Sequence, residues 1–426
     1  MTSSHSRVSK PVFFGMNILL IGSVLTGFAV WRVVSRPKPL ATFEPTPRRV
    51  SAGSDPSITV RDTGDIYLLK ADKGNLSFER SGDGGDRFGH PVRVNDVEGE
   101  VMPHAEATPK LYLRGGKPYA LWQARGGGDS DGMKLRFSRS VDYGESFTKA
   151  IDVDPSGLPA SQSFFNMNVS PKGIVYVVWL DGREKGGAGG SAAVYIARST
   201  DNGASFEKSV RVALNSCPCC RPSIAFTDEN TVHVGFRKIF GDNIRDIAVV
   251  TSTNGGKTWG EPVRVAEDNW QINGCPHSGP SLAVLGNRLF ISWFTVHDKE
   301  GQSYVYLAHS DDGGRSFSER QWLSEGAVDA NHPSLVTAND RILATFQGRD
   351  PKANSGWGKV NVYLREVNGE SHLSPLMTIG NLGASASYPA LAFESPGHIF
   401  LAWGESGDAG PSVVFARGRL ATNSGM

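Results

Sequence analysis

The chain has 426 residues, with 44 Lys and Arg against 43 Asp and Glu, a formal net charge of +1. That balance excludes a protein that holds nucleic acid by massed cations. Apolar residues at 39% and charged residues at 20% exclude a largely disordered chain, and 50 Gly with 24 Pro favour many turns over long helical bundles.

At the amino terminus, Arg7 and Lys10 precede an uncharged stretch from Pro11 to Trp31. Its 21 residues, rising about 1.5 Å each, suffice to cross a hydrocarbon layer of about 30 Å. No small-x-small cleavage site follows, so residues 1–36 are read as a transmembrane signal anchor, with a cleaved signal peptide as the alternative. Arg32, Arg36 and Lys38 outnumber Arg7 and Lys10, so the positive-inside rule by itself favours a cytoplasmic carboxyl side. Pro37, Pro39, Pro45 and Pro47 make residues 37–47 a semi-rigid linker.

Residues 48–420 repeat one unit, and residues 421–426 form a short tail. Each unit has an apolar first strand after Pro, a second strand ending in an aromatic residue, a third strand and a tight turn. The second-strand aromatics are Trp122, Trp179, Phe236, Trp293, Phe346 and Trp403, spaced 57, 57, 57, 53 and 57 residues apart. Seven first strands can be counted, starting near Ser57, Lys110, Asn166, Ser223, Ser281, Ser334 and Ala390. The last unit has three strands, and Arg48-Arg49-Val50 resembles the fourth strands Pro91–Val94 and Pro262–Val265, so it could complete that unit. Such a closure would remove an exposed sheet edge. The predicted architecture is all-β, a β-propeller of four-stranded blades. Seven blades are favoured, and six is the alternative if one unit is miscounted.

The turn element reads Ser-x-Asp-x-Gly-x-x-aromatic. It occurs at Ser81–Phe88, Ser140–Phe147, Ser199–Phe206 and Ser310–Phe317, and with Asn for Asp at Ser252–Trp259. Its chemistry is structural: Ser and Asp side chains bond turn amides, Gly takes positive φ, and the ring covers the hairpin. On these five copies the sequence resembles the Asp-box (BNR-repeat) family of sialidase-like β-propellers over roughly residues 48–420. The resemblance implies that the boxes join third and fourth strands, on the face away from an active site. It also implies an extracytoplasmic location, periplasmic or extracellular, for the propeller.

In an antiparallel blade, the start of strand one and the end of strand two share the opposite face. Before the fourth and fifth first strands stand Asn215-Ser-Cys217-Pro-Cys219-Cys220-Arg221-Pro222 and Asn273-Gly-Cys275-Pro-His277-Ser-Gly-Pro280. Cys217 and Cys275 each stand five residues before their strand's Pro, as His104 does before Pro109, and His332 directly precedes Pro333. All four Cys are thus expected on one mouth of the ring, with Cys217, Cys219, Cys220, Cys275 and His277 as candidate ligands for Zn²⁺ or Cu⁺. A structural disulfide between the two segments and a redox thiol are the alternatives. After the second strands come Arg125, Arg183, Arg237 and Arg349, and Arg221 adjoins the thiols. Five converging guanidiniums would suit an anionic small molecule or glycan. Pairing with Asp181, Glu184, Asp246, Asp350 and Glu405 is the structural alternative.

The resemblance further implies an arginine triad, a Tyr/Glu nucleophile pair and an Asp acid/base. Arg183, Arg237 and Arg349 are chemically plausible stand-ins for the triad and Tyr388 is a candidate tyrosine, but the Phe-Arg-Ile-Pro segment of sialidases is absent. The functional expectation is a membrane-anchored propeller binding an anionic ligand or protein partner at its Cys/Arg face. An exo-sialidase-type glycoside hydrolase and a Cu/Zn-binding or thiol-redox protein are the alternatives.

Overall fold

The computed structural model describes residues 40–421 except 45–46, 127–131, 158–160, 185–190, 297–300, 354–357 and 409. The expected signal anchor, residues 37–39 and 45–46 of its linker and residues 422–426 of the tail lie outside the described residues. Among the described residues no helix is long and apolar enough to cross a membrane.

Second strands such as Val175–Asp181 are buried at every position. They read as continuous apolar runs because both faces are covered by neighbouring sheets. Their aromatics Trp122, Trp179, Phe236, Trp293, Phe346 and Trp403 have no exposed surface. The indole N–H groups of Trp179, Trp293 and Trp403 are satisfied by Asp181 at 2.8 Å, Asp268 at 2.7 Å and Glu405 at 3.0 Å. Several acids near the second strands therefore serve as partners of buried indoles.

Among the described residues the antiparallel strands form six sheets, one of them eight-stranded and holding two of the sequence units. The first unit contains Ser54–Val60, Ile66–Asp72, Asn75–Ser81 and Val92–Arg93. The third and fourth units share one eight-stranded sheet, joined edge to edge by the single pair Ser216↔Lys238. In the last unit, Arg48–Ala52 pairs with the third strand Gly410–Leu420, as the likeness of Arg48-Arg49-Val50 to other fourth strands suggested. Ala41–Phe43, within the stretch read as linker, pairs with the end of that same strand.

First strands adjoin one another in chain order, and Ala386–Glu394 of the last unit adjoins Ser54–Val60 of the first. Serine hydroxyls link several of them: Ser57 accepts from the Leu111 amide, Ser223 from Leu282 and Ser281 from Leu335, each at 3.0 Å. The arrangement is propeller-like, and among the described residues it is entirely β apart from the short 3₁₀ turn Gly241–Asn243.

The Asp boxes join third to fourth strands. In one, the Ser140 hydroxyl accepts the buried Gly144 amide at 2.7 Å and donates to Asp142 at 2.7 Å. Asp142 in turn accepts the Ser146 amide at 2.9 Å. Gly144 has φ 97°, and a Cβ there would lie 2.4 Å from the Phe78 ring of the preceding unit. A glycine is required twice over, for its dihedral and for its closeness. Gly85 of the first unit meets Phe415 of the last in the same way, at 2.5 Å.

Candidate metal centre

The face opposite the boxes is shaped by left-handed backbone near the entries to the first strands. Asp55, Ala105, Phe164, His277, His332 and Tyr388 all have φ between 47° and 53°. Register shifts accompany Asp55, Phe164, His332 and Tyr388 in their strands. Bulges of this kind re-aim a side chain and recur at functional sites.

Cys217, Cys219 and Cys220 follow the strand Val210–Ser216 and precede Ser223–Phe226. All three are buried, whereas Cys275, on the segment before Ser281–Leu285, is exposed and His277 is half-buried. The Cys217 Sγ lies 3.6 Å from that of Cys219 and 3.8 Å from that of Cys220. The three sulfurs lie within 4.8 Å of one another, and so do the ligand atoms of Cys219, Cys275 and His277. The two segments therefore meet across the boundary between the fourth and fifth units, as their shared offset from proline implied.

All four cysteines are free in this structure. A disulfide needs sulfurs about 2.05 Å apart. Ligands each about 2.3 Å from a shared ion stand about 3.8 Å from one another, close to the 3.6 Å and 3.8 Å that separate Cys217 from Cys219 and Cys220.

The junction is held by groups that have little exposure. The Arg237 carbonyl accepts the Cys217 amide at 2.8 Å. Its guanidinium, fully buried, donates to the carbonyls of Arg245 at 2.9 Å, Ser278 at 3.0 Å and Phe294 at 2.6 Å. Arg245 donates to the Cys217 sulfur at 3.4 Å and to the Gly274 carbonyl, beside Cys275, at 2.9 Å. The buried Glu106 carboxylate accepts the Arg221 amide at 3.0 Å and the Gly279 amide at 2.6 Å, one from each segment. His332 donates to the His277 carbonyl at 2.9 Å, and Phe164 stacks on the His277 ring at 5.9 Å. Hydrogen bonds from the Cys219 and Cys220 thiols, aided by the charge of Arg237, pull the Cys217 thiol far below its ordinary pKa. Cys219, which shares its proton toward Cys217, and Cys220, which is buried, are pushed up.

Three of the five candidate arginines are engaged by carboxylates or backbone carbonyls. Arg183 forks onto Asp181 at 2.6 Å and also pairs with Asp154, and Arg349 pairs with Asp329 at 2.8 Å. Arg237 is spent on backbone carbonyls, and Arg125 is exposed at the end of Lys117–Arg125. For Arg183 and Arg349 the structural pairing describes what is found, though with partly different acids. Arg221 is the exception: it lines a central cavity of about 290 Å³ with Glu106, Lys110, His332 and Tyr388. Burial lowers Lys110 to about 7 and raises Tyr388 to about 12.

Sequence reasoning singled out the thiols and His277 but not Glu106 or Arg245, which stand beside them. A lone acid three residues before Pro109 resembles any turn residue, and Arg245 opens a strand in which nothing marks its reach to sulfur.

The family described as "BNR repeat-like domain" matches residues 76–401. Polysaccharide lyase Uly1 is similar in structure, with TM-score 0.54 and 12% identity over 86% of this chain and 90% of that one. The K499G mutant of NanB sialidase from Streptococcus pneumoniae gives 0.50 and 12%, covering 89% and 94%. The phage phi92 endosialidase gives 0.50 and 11%, covering 93% and 72%. At these identities the likeness is one of fold. No curated protein matches the chain. With the family's repeat matched over most of its length, and the five boxes built as that repeat requires, the chain belongs to the BNR repeat-like family of sialidase-like folds.

Proposed function

We propose that this chain is a membrane-tethered, extracytoplasmic propeller of seven blades that holds a soft metal ion, Cu⁺ or Zn²⁺, at its thiol mouth. One observation carries the reading: the thiols of Cys217, Cys219 and Cys220 lie within 4.8 Å of one another, and Cys219 is as close to Cys275 and His277 of the other segment. Thiolate and imidazole donors suit these ions and disfavour Mg²⁺ or Ca²⁺, which prefer oxygen. The cyclic order of first strands supports seven blades, and the apolar stretch Pro11–Trp31 supports the tether. The test is metal analysis of the full-length chain purified without chelator, with thiols counted before and after metal removal. Bound copper or zinc, and thiols that become reactive only on its removal, are expected. A metal-free protein that takes up neither Cu⁺ nor Zn²⁺ would overturn the reading.

A second reading concerns the central cavity, where Lys110, Arg221 and Tyr388 suit an anionic small molecule or glycan. It draws on the sialidase-like fold, without the arginine triad that an exo-sialidase needs. Titration with a sialic acid or a uronic acid oligosaccharide tests it, and binding that survives Arg221→Ala would count against it.

A further inference from the structure

We infer that the thiol mouth is a two-ion centre, in which Cys219 bridges an inner ion held by Cys217 and Cys220 and an outer ion held by Cys275 and His277. The inference rests on the metal-binding reading and specifies its stoichiometry. Two triads of ligand atoms meet the 4.8 Å spacing, and Cys219 is their one common member. No group of four ligand atoms meets that spacing among the described residues. A single tetrahedral ion would need all six ligand–ligand separations to be about 3.8 Å, so one ion cannot engage all four thiols as they stand. Two ions that share a thiolate can.

Charge selects univalent ions. Four thiolates carry four negative charges, and the guanidiniums of Arg245, 3.4 Å from the Cys217 sulfur, and of Arg237, buried beside the same segment, supply two positive ones. Glu106 and Arg221 add one charge of each sign. Two univalent cations close the balance, with His277 neutral. Two divalent ions would leave two positive charges uncompensated around buried sulfur, which is costly. Soft, univalent and thiolate-preferring describes Cu⁺.

The two positions differ in access. The inner triad is wholly buried, whereas the outer one contains exposed Cys275 and half-buried His277. The outer ion is therefore the one that a competing chelator reaches first.

The experiment loads the full-length chain, solubilised in detergent, with excess Cu⁺ under anaerobic conditions, removes unbound metal and measures copper per chain. X-ray absorption then reports any copper–copper scattering. Two ions per chain with a copper–copper shell are expected in the wild type. One ion and no such shell are expected in His277→Ala and in Cys220→Ser, and less than one in Cys219→Ser. Circular dichroism confirms folding of each variant, and if Cys219→Ser does not fold, the His277 and Cys220 variants decide the matter. One ion in the wild type, or two retained with the copper–copper shell in His277→Ala, overturns the two-ion centre and leaves metal binding intact. Failure to bind any Cu⁺ or Zn²⁺ overturns both.

Discussion

Gly279 shows how tightly the two thiol-bearing segments are joined. A Cβ at this position would lie 2.0 Å from the Arg221 carbonyl oxygen and 2.8 Å from its carbon and nitrogen. Those atoms are backbone and cannot swing aside. Gly279→Ala is therefore expected to cost about 1–3 kcal/mol, as overpacking does, and to weaken metal uptake by parting Cys219 from Cys275. Chemical denaturation and metal competition measure the two effects, and an unchanged variant would mean that the segments are not in contact. A different buried group sets a pH dependence. His233 has both ring nitrogens engaged, by Thr227 at 3.0 Å and Thr251 at 2.9 Å, and burial lowers its pKa from 6.5 to about 4. The folded state then binds fewer protons than the unfolded one between those values. Its contribution is complete above pH 6.5 and is lost as pH falls toward 4. Urea midpoints at pH 7 and pH 5 are expected to differ less in His233→Gln than in wild type. Residues were legible in the sequence where spacing constrained them. Cys217 and Cys275 share an offset from proline, and that offset put them on adjoining units. Arg237 had no such constraint, and its guanidinium, read as a ligand for anions, holds the Ser278 carbonyl instead.

Asp boxes divide their work between two side chains, and the division is open to measurement. Ser140 serves the buried Gly144 amide, whereas Asp142 serves the exposed Ser146 amide and hydroxyl. Hydrogen bonds from Ser146 and Ser140 lower Asp142 to about 2. Loss of a buried acceptor leaves an amide unpaired, while an exposed amide is taken over by water. Ser140→Ala is accordingly expected to cost about 1–3 kcal/mol, and Asp142→Ala less. Urea unfolding of the two variants checks the order, and a larger loss for Asp142→Ala would reverse the assignment. Boxes, second-strand aromatics and first strands were readable because each is a local pattern repeated several times. The bulges near the start of several first strands were not. Their left-handed residues are Asp, Phe, His and Tyr rather than Gly, so no composition signal announces them, and tertiary packing alone accounts for their conformation.

At the scale of the whole molecule, the last sheet is completed from the other end of the chain. Arg48–Ala52 pairs with Gly410–Leu420 from Arg48↔Phe415 to Ala52↔Ser412. This long-range closure was foreseen because Arg48-Arg49-Val50 copies other fourth strands, while the extra strand Ala41–Phe43 copies nothing and went unread. Deleting residues 1–36 is expected to leave thermal stability unchanged and to release the protein from the membrane fraction. Deleting residues 1–52 removes both pairing strands and exposes the edge of Gly410–Leu420, so a lower melting temperature and aggregation are expected. Equal behaviour of the two truncations would mean that the closing strand contributes nothing. The claim on which function turns is that the mouth on the face opposite the boxes coordinates metal through sulfur. X-ray absorption at the edge of the ion that the full-length chain binds is the direct test. A first shell dominated by sulfur at about 2.3 Å, with a minor nitrogen contribution at about 2.0 Å, is the expected result. A shell of oxygen and nitrogen alone would contradict it.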